Sequence, residues 1–337
     1  MSTATDISHP ARAEPRLGVF SAVFEPALGG PPARLEVPYA VYGPGGQGPA
    51  PAVVLGGISS DREVGGWWAP QLAPGGALDP RERVVIGMDY LAERPPGWKA
   101  VSPRDQARRV LALLDHLGIE QAVLIGASYG GAVALAFAAH HPDRLAAALA
   151  IAMAHRPHPL ASGQRAIQRE VVRLGQACGR AREALVLARA LAVTTYRSER
   201  EFGARFDGSF VFDEQGLVRR PVEAYLRAQG QRFAARFEPE RFLVLSESLD
   251  LHEEEPERLR GLPLHLLAVA EDRLVPLSDL RELAERSAAS LTVISSAYGH
   301  DAFLKEHRAL GVWLKAVLGR LPADAARARA APLSIAA

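Results

Sequence analysis

The sequence predicts an α/β fold, a mostly parallel sheet flanked by helices, with an all-helical cap domain inserted into it. Three observations predict it. Short apolar runs alternate with segments of 3.6-residue period, the pattern of βα units. The alternation stops between residues 155 and 245, where the spacing is almost wholly helical, and then resumes. A serine flanked by glycines stands at one strand-to-helix junction.

The elements follow in order. Residues 35–42 and 52–55 read as strands, and Gly43-Pro44-Gly45-Gly46-Gln47-Gly48-Pro49 between them as a turn. A phosphate loop would need a following helix with a lysine, which is missing here. Residues 84–88 read as the next strand. Residues 103–117 place Val110, Leu113, Leu114 and Leu117 on one helical face, with Gly118 as the stop. Residues 122–125 read as a buried strand, 132–140 as an apolar helix ending before Pro142, and 145–153 as another strand. Within the insertion, residues 166–174, 182–194 and 222–237 carry helical spacing. Strands at 264–269 and 291–295, separated by a helix at 277–287, complete the sheet. The expected division is a core of residues 17–154 and 246–320, a helical cap of 155–245, and flexible Ala/Pro/Arg-rich tails at 1–16 and 321–337.

Composition narrows the function. The 337 residues hold 39 Lys+Arg against 38 Asp+Glu, a net charge of +1. That balance lacks the positive excess of a nucleic-acid face. Hydrophobic residues make up 48%, enough for a large core. A single cysteine, Cys178, excludes an intramolecular disulfide and a cysteine-rich zinc site. No apolar run approaches the roughly 18 residues of a membrane span, and residues 1–16 lack a secretory apolar region. A soluble, cytoplasmic protein is expected, with no metal, no nucleic acid and no membrane partner.

The strongest local signal is Gly126-Ala127-Ser128-Tyr129-Gly130, a G-x-S-x-G between an apolar strand and an Ala-rich helix. That context is the nucleophile elbow of the α/β-hydrolase fold. A serine hydroxyl needs a base oriented by a third group, and in this fold the acid and then the histidine follow it in sequence. Asp272 stands just past the strand at 264–269, and His300 follows the last strand. Glu271 is the competing acid. An oxyanion needs two backbone N–H donors. Tyr129 supplies one, and Ile58 in Gly56-Gly57-Ile58-Ser59-Ser60 the other, with Gly57 as competitor. Cys178 reads as a cap-helix residue without a nearby base, and His155 and His158 as loop histidines. His252 with Glu253, Glu254 and Glu255 reads as a solvated acidic turn. Trp67 and Trp68 either line a pocket or pack their loop.

These residues specify acyl transfer and leave the acceptor open. Further segments carry a resemblance: Gly126-Ala-Ser-Tyr-Gly-Gly131, Leu191-Ala-Val-Thr-Thr-Tyr-Arg-Ser198 with Glu201-Phe202 and Arg205-Phe206, Val222-Glu-Ala-Tyr-Leu226, and Tyr298-Gly-His-Asp-Ala-Phe-Leu304. Over about residues 50–310 the chain resembles the homoserine O-acyltransferases of the α/β-hydrolase superfamily. Gly56-Gly57-Ile58-Ser59, His155-Arg-Pro-His-Pro159 and the run Gln168 to Leu174 suggest its short, succinyl-transferring branch. The resemblance implies Ser128, Asp272 and His300 as the triad, Arg197 as the group binding the amino-acid carboxylate, and Asp301 as the group binding its ammonium. It implies succinyl-CoA as co-substrate, L-homoserine as acceptor, no tightly bound cofactor, and a homodimer built through the caps. Acetyl-CoA as donor, serine as acceptor, a serine esterase and a ligand-binding fold without catalysis are the alternatives. For Arg197 and Asp301 they are a cap salt bridge and a helix N-cap.

Overall fold

The computed structural model describes residues 14–44 and 48–321. The tails at 1–13 and 322–337, and the middle of the turn at 45–47, lie outside the described residues.

The chain opens with β1 (Arg16–Phe24) and β2 (Ala33–Tyr42), a long antiparallel pair. β1 lies outside the elements expected from sequence, and Arg16, placed there with the tail, begins it. β3 (Ala52–Leu55) is followed by two single-turn helices, α1 (Val64–Trp67) and α2 (Ala69–Leu72). Then come β4 (Val85–Met88), α3 (Pro103–His116), β5 (Ala122–Ala127), α4 (Tyr129–His140) and β6 (Leu145–Ile151).

The insertion holds α5 (Pro159–Ala177), α6 (Ala181–Tyr196), α7 (Glu199–Phe206), the short strands β7 (Val211–Phe212) and β8 (Val218–Arg219), α8 (Pro221–Ala234) and α9 (Pro239–Asp250). Strand β9 (Leu264–Val269), α10 (Leu277–Ser287), β10 (Ser290–Ile294), the single-turn α11 (Ala302–Lys305) and α12 (His307–Leu318) complete the core.

The sheet order is β1-β2-β4-β3-β5-β6-β9-β10. β2 meets β4 antiparallel, and every pair from β4 to β10 is parallel. β3, β5 and β6 are buried along their whole length. That is why they read as continuous apolar runs rather than alternating ones. One face is covered by α3, α4 and α10 through Val110, Leu113, Phe137 and Leu280. Leu72 of α2 and Leu310, Trp313 and Leu314 of α12 cover the other. The start of α3 is set by a capping box, in which Ser102 and Asp105 exchange hydrogen bonds with each other's backbone N–H.

Two expectations change in the cap. It is not wholly helical: β7 and β8 form a hairpin, closed by Asp213, whose carboxylate accepts from the Gln215 and Leu217 N–H groups. The boundary expected at residue 245 falls inside α9, whose helix continues to Asp250. The acidic run after α9 is only partly a solvated turn: Glu253 and Glu255 are exposed, whereas His252 and Glu254 are not. His252 is buried and its Nε2 donates to the Ala154 carbonyl at 3.0 Å, and burial pushes its pKa down to about 4. The buried Glu254 carboxylate accepts from Arg104 Nε and His140 Nε2, both at 3.0 Å. These bonds clamp the return from the cap to the strand that enters it.

Helix α10 ends on Ala288, an exposed residue with φ 57°, the left-handed conformation normally given to glycine. An alanine Cβ is strained there and buries nothing. Ala288→Gly should therefore raise stability by about 0.5–1 kcal/mol, read as a higher urea midpoint at unchanged slope. A lower midpoint would contradict this account of the helix end.

Candidate active site

The site is assembled where strands β3, β5, β9 and β10 end, at the C-terminal edge of the parallel sheet. Ser128 lies between β5 and α4 with φ 53° and ψ −119°, a strained conformation for a residue with a side chain. Its neighbours must be glycines for steric reasons. A Cβ on Gly126 would lie 2.0 Å from the Gly130 carbonyl oxygen, and one on Gly130 2.1 Å from that of Leu55. The Gly130 N–H also donates to the Gly56 carbonyl at 2.9 Å, tying the elbow to the loop after β3.

Ser128 Oγ lies 2.8 Å from His300 Nε2, and His300 Nδ1 lies 2.7 Å from Asp272 Oδ2. All three residues are buried, at 9%, 6% and 5% exposure. The second oxygen of Asp272 accepts from the backbone N–H groups of Leu274 and Val275, which fixes the carboxylate plane. Glu271, the competing acid, is bound instead to the Ser295 hydroxyl and the Ser296 N–H. Burial disfavours the charged imidazole of His300. The charge of Asp272 and its hydrogen bond outweigh this, Asp301 adds to them, and the His300 pKa is raised above its ordinary value. The ring is thereby a stronger base, oriented toward Ser128.

A chamber opens above Ser128, with about 920 Å³ of empty space including solvent at its mouth. Gly57 and Ile58 line it on the core side. The backbone N–H groups of Ile58 and Tyr129 have no partner among the described residues. Gly57 lies beside the serine, its Cβ position 4.0 Å from that of Ser128. The Tyr129 side chain points the other way: its hydroxyl is 2.7 Å from Ser248 Oγ of α9, and its ring packs edge-on to Tyr90.

Arg197 and Asp301 are together, but joined to each other. Arg197 Nε donates to Asp301 Oδ2 at 2.9 Å, and Arg197 Nη1 to Glu201 Oε1 at 3.1 Å. Asp301 lines the chamber and caps no helix N–H with its side chain. Arg197 therefore does form the cap salt bridge that was the alternative for it. Its segment is fixed to the histidine loop, because Ser198 Oγ donates to the Ala297 carbonyl at 2.6 Å.

Several chamber residues were not foreseen. On α5, Ala161, Gln164, Arg165 and Gln168 share one face and line it. Their spacing of three and four was the signal, but a helical face does not reveal what it looks onto. Arg165 pairs with Asp250 at 2.8 Å through Nε, and Arg156 with Glu282 at 3.1 Å. Arg189 of α6 lies over the rings of Tyr196 and Phe233 and donates to the Tyr196 hydroxyl, with no carboxylate partner among the described residues. The tryptophans pack their loop: Trp68 Nε1 donates to the Phe303 carbonyl and Trp67 Nε1 to that of Asp61. Cys178 is exposed at the end of α5. His158 accepts from the Leu160 N–H, and His155 is buried 3.5 Å from Glu282. Among the described residues no cluster of three or more His, Cys, Asp or Glu could hold a metal, and no helix is long and apolar enough to cross a membrane.

Fold and elbow together define an α/β hydrolase, and the family model described as the alpha/beta hydrolase fold matches residues 90–307. The chain is 41% identical to the homoserine O-succinyltransferase of Xanthomonas campestris pv. campestris, over 76% of this chain and 72% of that one. It is 34% identical to the homoserine O-acetyltransferase of Thermus thermophilus, over 72% and 69% of the two chains. In structure it resembles homoserine O-acetyltransferase from Bacillus anthracis, with TM-score 0.82 and 16% identity, covering 91% and 98%. It also resembles esterase E22, with TM-score 0.79 and 16% identity, covering 90% and 100%. Within the α/β hydrolases, the chain belongs to the homoserine O-acyltransferase family.

If His300 is the base, activity falls as pH drops through its raised pKa, because only the neutral ring accepts the serine proton. Asp272→Asn should move that acidic limb to lower pH and reduce kcat by about 10³–10⁴-fold. A pH–rate profile of the variant that overlays the unsubstituted one would remove Asp272 from this role.

Proposed function

We propose that this protein is a homoserine O-succinyltransferase working by ping-pong double displacement, with Ser128, His300 and Asp272 as its triad. The observation that carries the reading is the Arg197–Asp301 pair, whose aspartate lines the chamber with His300. An amino acid is a zwitterion, so a fixed arginine–aspartate pair is complementary to it, the carboxylate on the guanidinium and the ammonium on the aspartate. A substrate so held presents its side-chain hydroxyl to His300. Esterase chemistry has no use for such a pair.

His300 takes the Ser128 proton, and Oγ attacks the thioester carbonyl of succinyl-CoA. The Ile58 and Tyr129 N–H groups stabilise the oxyanion, helped by the N-terminus of α4 behind Ser128. Collapse breaks the carbon–sulfur bond, and the CoA thiolate leaves with the proton held by His300. L-Homoserine then binds on Arg197 and Asp301. His300 removes its hydroxyl proton, the oxygen attacks the succinyl ester, and Ser128 leaves with that proton. The cap covers the acyl-enzyme and disfavours attack by water. Arg189 on the chamber wall, which has no carboxylate partner among the described residues, supports a donor whose acyl group ends in a carboxylate. No metal or tightly bound cofactor takes part. The reading includes a homodimer joined through the caps, consistent with exposed Leu160, Ile167 and Leu174 seven residues apart on α5.

Thiol release should be seen with succinyl-CoA only when L-homoserine is present, and Ser128→Ala should abolish it. Faster release with acetyl-CoA would keep the mechanism and change the donor. Equal release without acceptor would make the protein a hydrolase. Arg197→Lys, which loses the planar fork, should raise KM for homoserine by about tenfold while sparing formation of the succinyl-enzyme, followed by mass spectrometry. An unchanged KM would place the amino acid elsewhere.

A further inference from the structure

Helix α5 turns two carboxamides into the chamber with nothing to bond. Gln164 and Gln168 are one helical turn apart and both line it. Neither side chain has a hydrogen-bond partner among the described residues. Gln168 is 5% exposed, and its amide is not among the side-chain atoms sealed from solvent, so what it exposes opens on the chamber. Other buried polar side chains nearby are satisfied: Ser246 accepts from Arg169, and Ser248 is bonded to Tyr129. A carboxamide that faces a chamber and bonds no protein group keeps its donors and acceptor for whatever enters. Its presence on a chamber wall marks a ligand group of matching chemistry.

That group is neutral, and both donates and accepts. A carboxylate would be drawn to the arginines of the same wall, and a zwitterion to Arg197 and Asp301. A secondary amide fits. The arm of an acyl-CoA carries two secondary amides separated by two methylenes, a spacing comparable to one helical turn of about 5.4 Å. Phe242, Leu249 and Val275 line the same chamber and suit the methylenes between them. We propose that Gln164 and Gln168 form a two-step amide ladder that binds the pantetheine arm of the donor and so sets its preference for CoA thioesters. This deepens the acyltransferase reading and rests on it.

The test compares two donors with homoserine as acceptor: succinyl-CoA, and the succinyl thioester of methyl 3-mercaptopropionate, which has no amide. For Gln168→Leu, the ratio of kcat/KM for the first donor to that for the second should fall about five- to tenfold. The change should lie in KM, and Gln164→Leu should act in the same direction. The amide-free donor shows in the same experiment that each variant is folded. Equal losses on both donors, or an unchanged ratio, would overturn the ladder and leave the acyltransferase standing. Failure of the unsubstituted protein to transfer from either thioester would overturn the acyltransferase reading, and the ladder with it.

Discussion

The backbone of Ser128, held at φ 53° between a buried strand and a buried helix, is the constraint on which the rest of the structure depends. Such a conformation persists only where its surroundings over-determine it. Here Ser128 N–H donates to Ile151 of the neighbouring strand, and Gly130 N–H to Gly56 of the loop after β3. Glycines at 126 and 130 let three backbones approach to distances that a Cβ would forbid. One strained residue thereby places its hydroxyl at the N-terminus of α4 and against the loop after β3. Histidine and aspartate reach that point from the ends of later strands, without strain of their own.

The cap is joined to this point by polar contacts rather than by apolar packing alone. Tyr129, next to the serine, reaches away from the chamber to Ser248 of α9. Arg165 and Arg169 of α5 both pair with Asp250 at the end of the same helix. Ser198, at the start of α7, is bonded to the loop that carries His300. These contacts are directional, so they set where cap helices stand as well as that they pack. A chamber wall carrying charges and carboxamides at chosen positions requires that kind of registration.

The hinge is built in a similar way. His252 is kept neutral by burial and donates to Ala154, and the Glu254 N–H donates to the His155 carbonyl. The carboxylate of Glu254 then meets Arg104 of α3 and His140 of α4. The two chain crossings between core and cap are thus bonded to each other and to both helices behind them. Two of the four ionisable residues in this run, His252 and Glu254, form a buried fastening, while Glu253 and Glu255 stay exposed.

Much of the core was legible in sequence because its signals are local. The run at residues 122–125 and the serine motif after it encode β5 and the elbow through apolar character and glycine sterics. Asp272 and His300 could be named because chain order and strand ends limit the choices. The family was legible from segments such as Thr194-Thr195-Tyr196-Arg197-Ser198. Strand β1 was not, since its outward face exposes Leu17, Val19 and Val23, which blurs the alternation. His252 to Glu255 read as solvated because charge suggests water until a partner is known. Arg104 and His140 lie more than a hundred residues away in the chain. By itself, then, the sequence determined the parallel core strands, their order along the chain and the residue types of the site. The tertiary structure alone decided that Arg197 faces Asp301, that α5 turns two glutamines into the chamber, and that His252 and Glu254 are buried. Those outcomes depend on groups distant in sequence, whose pairing no local pattern encodes.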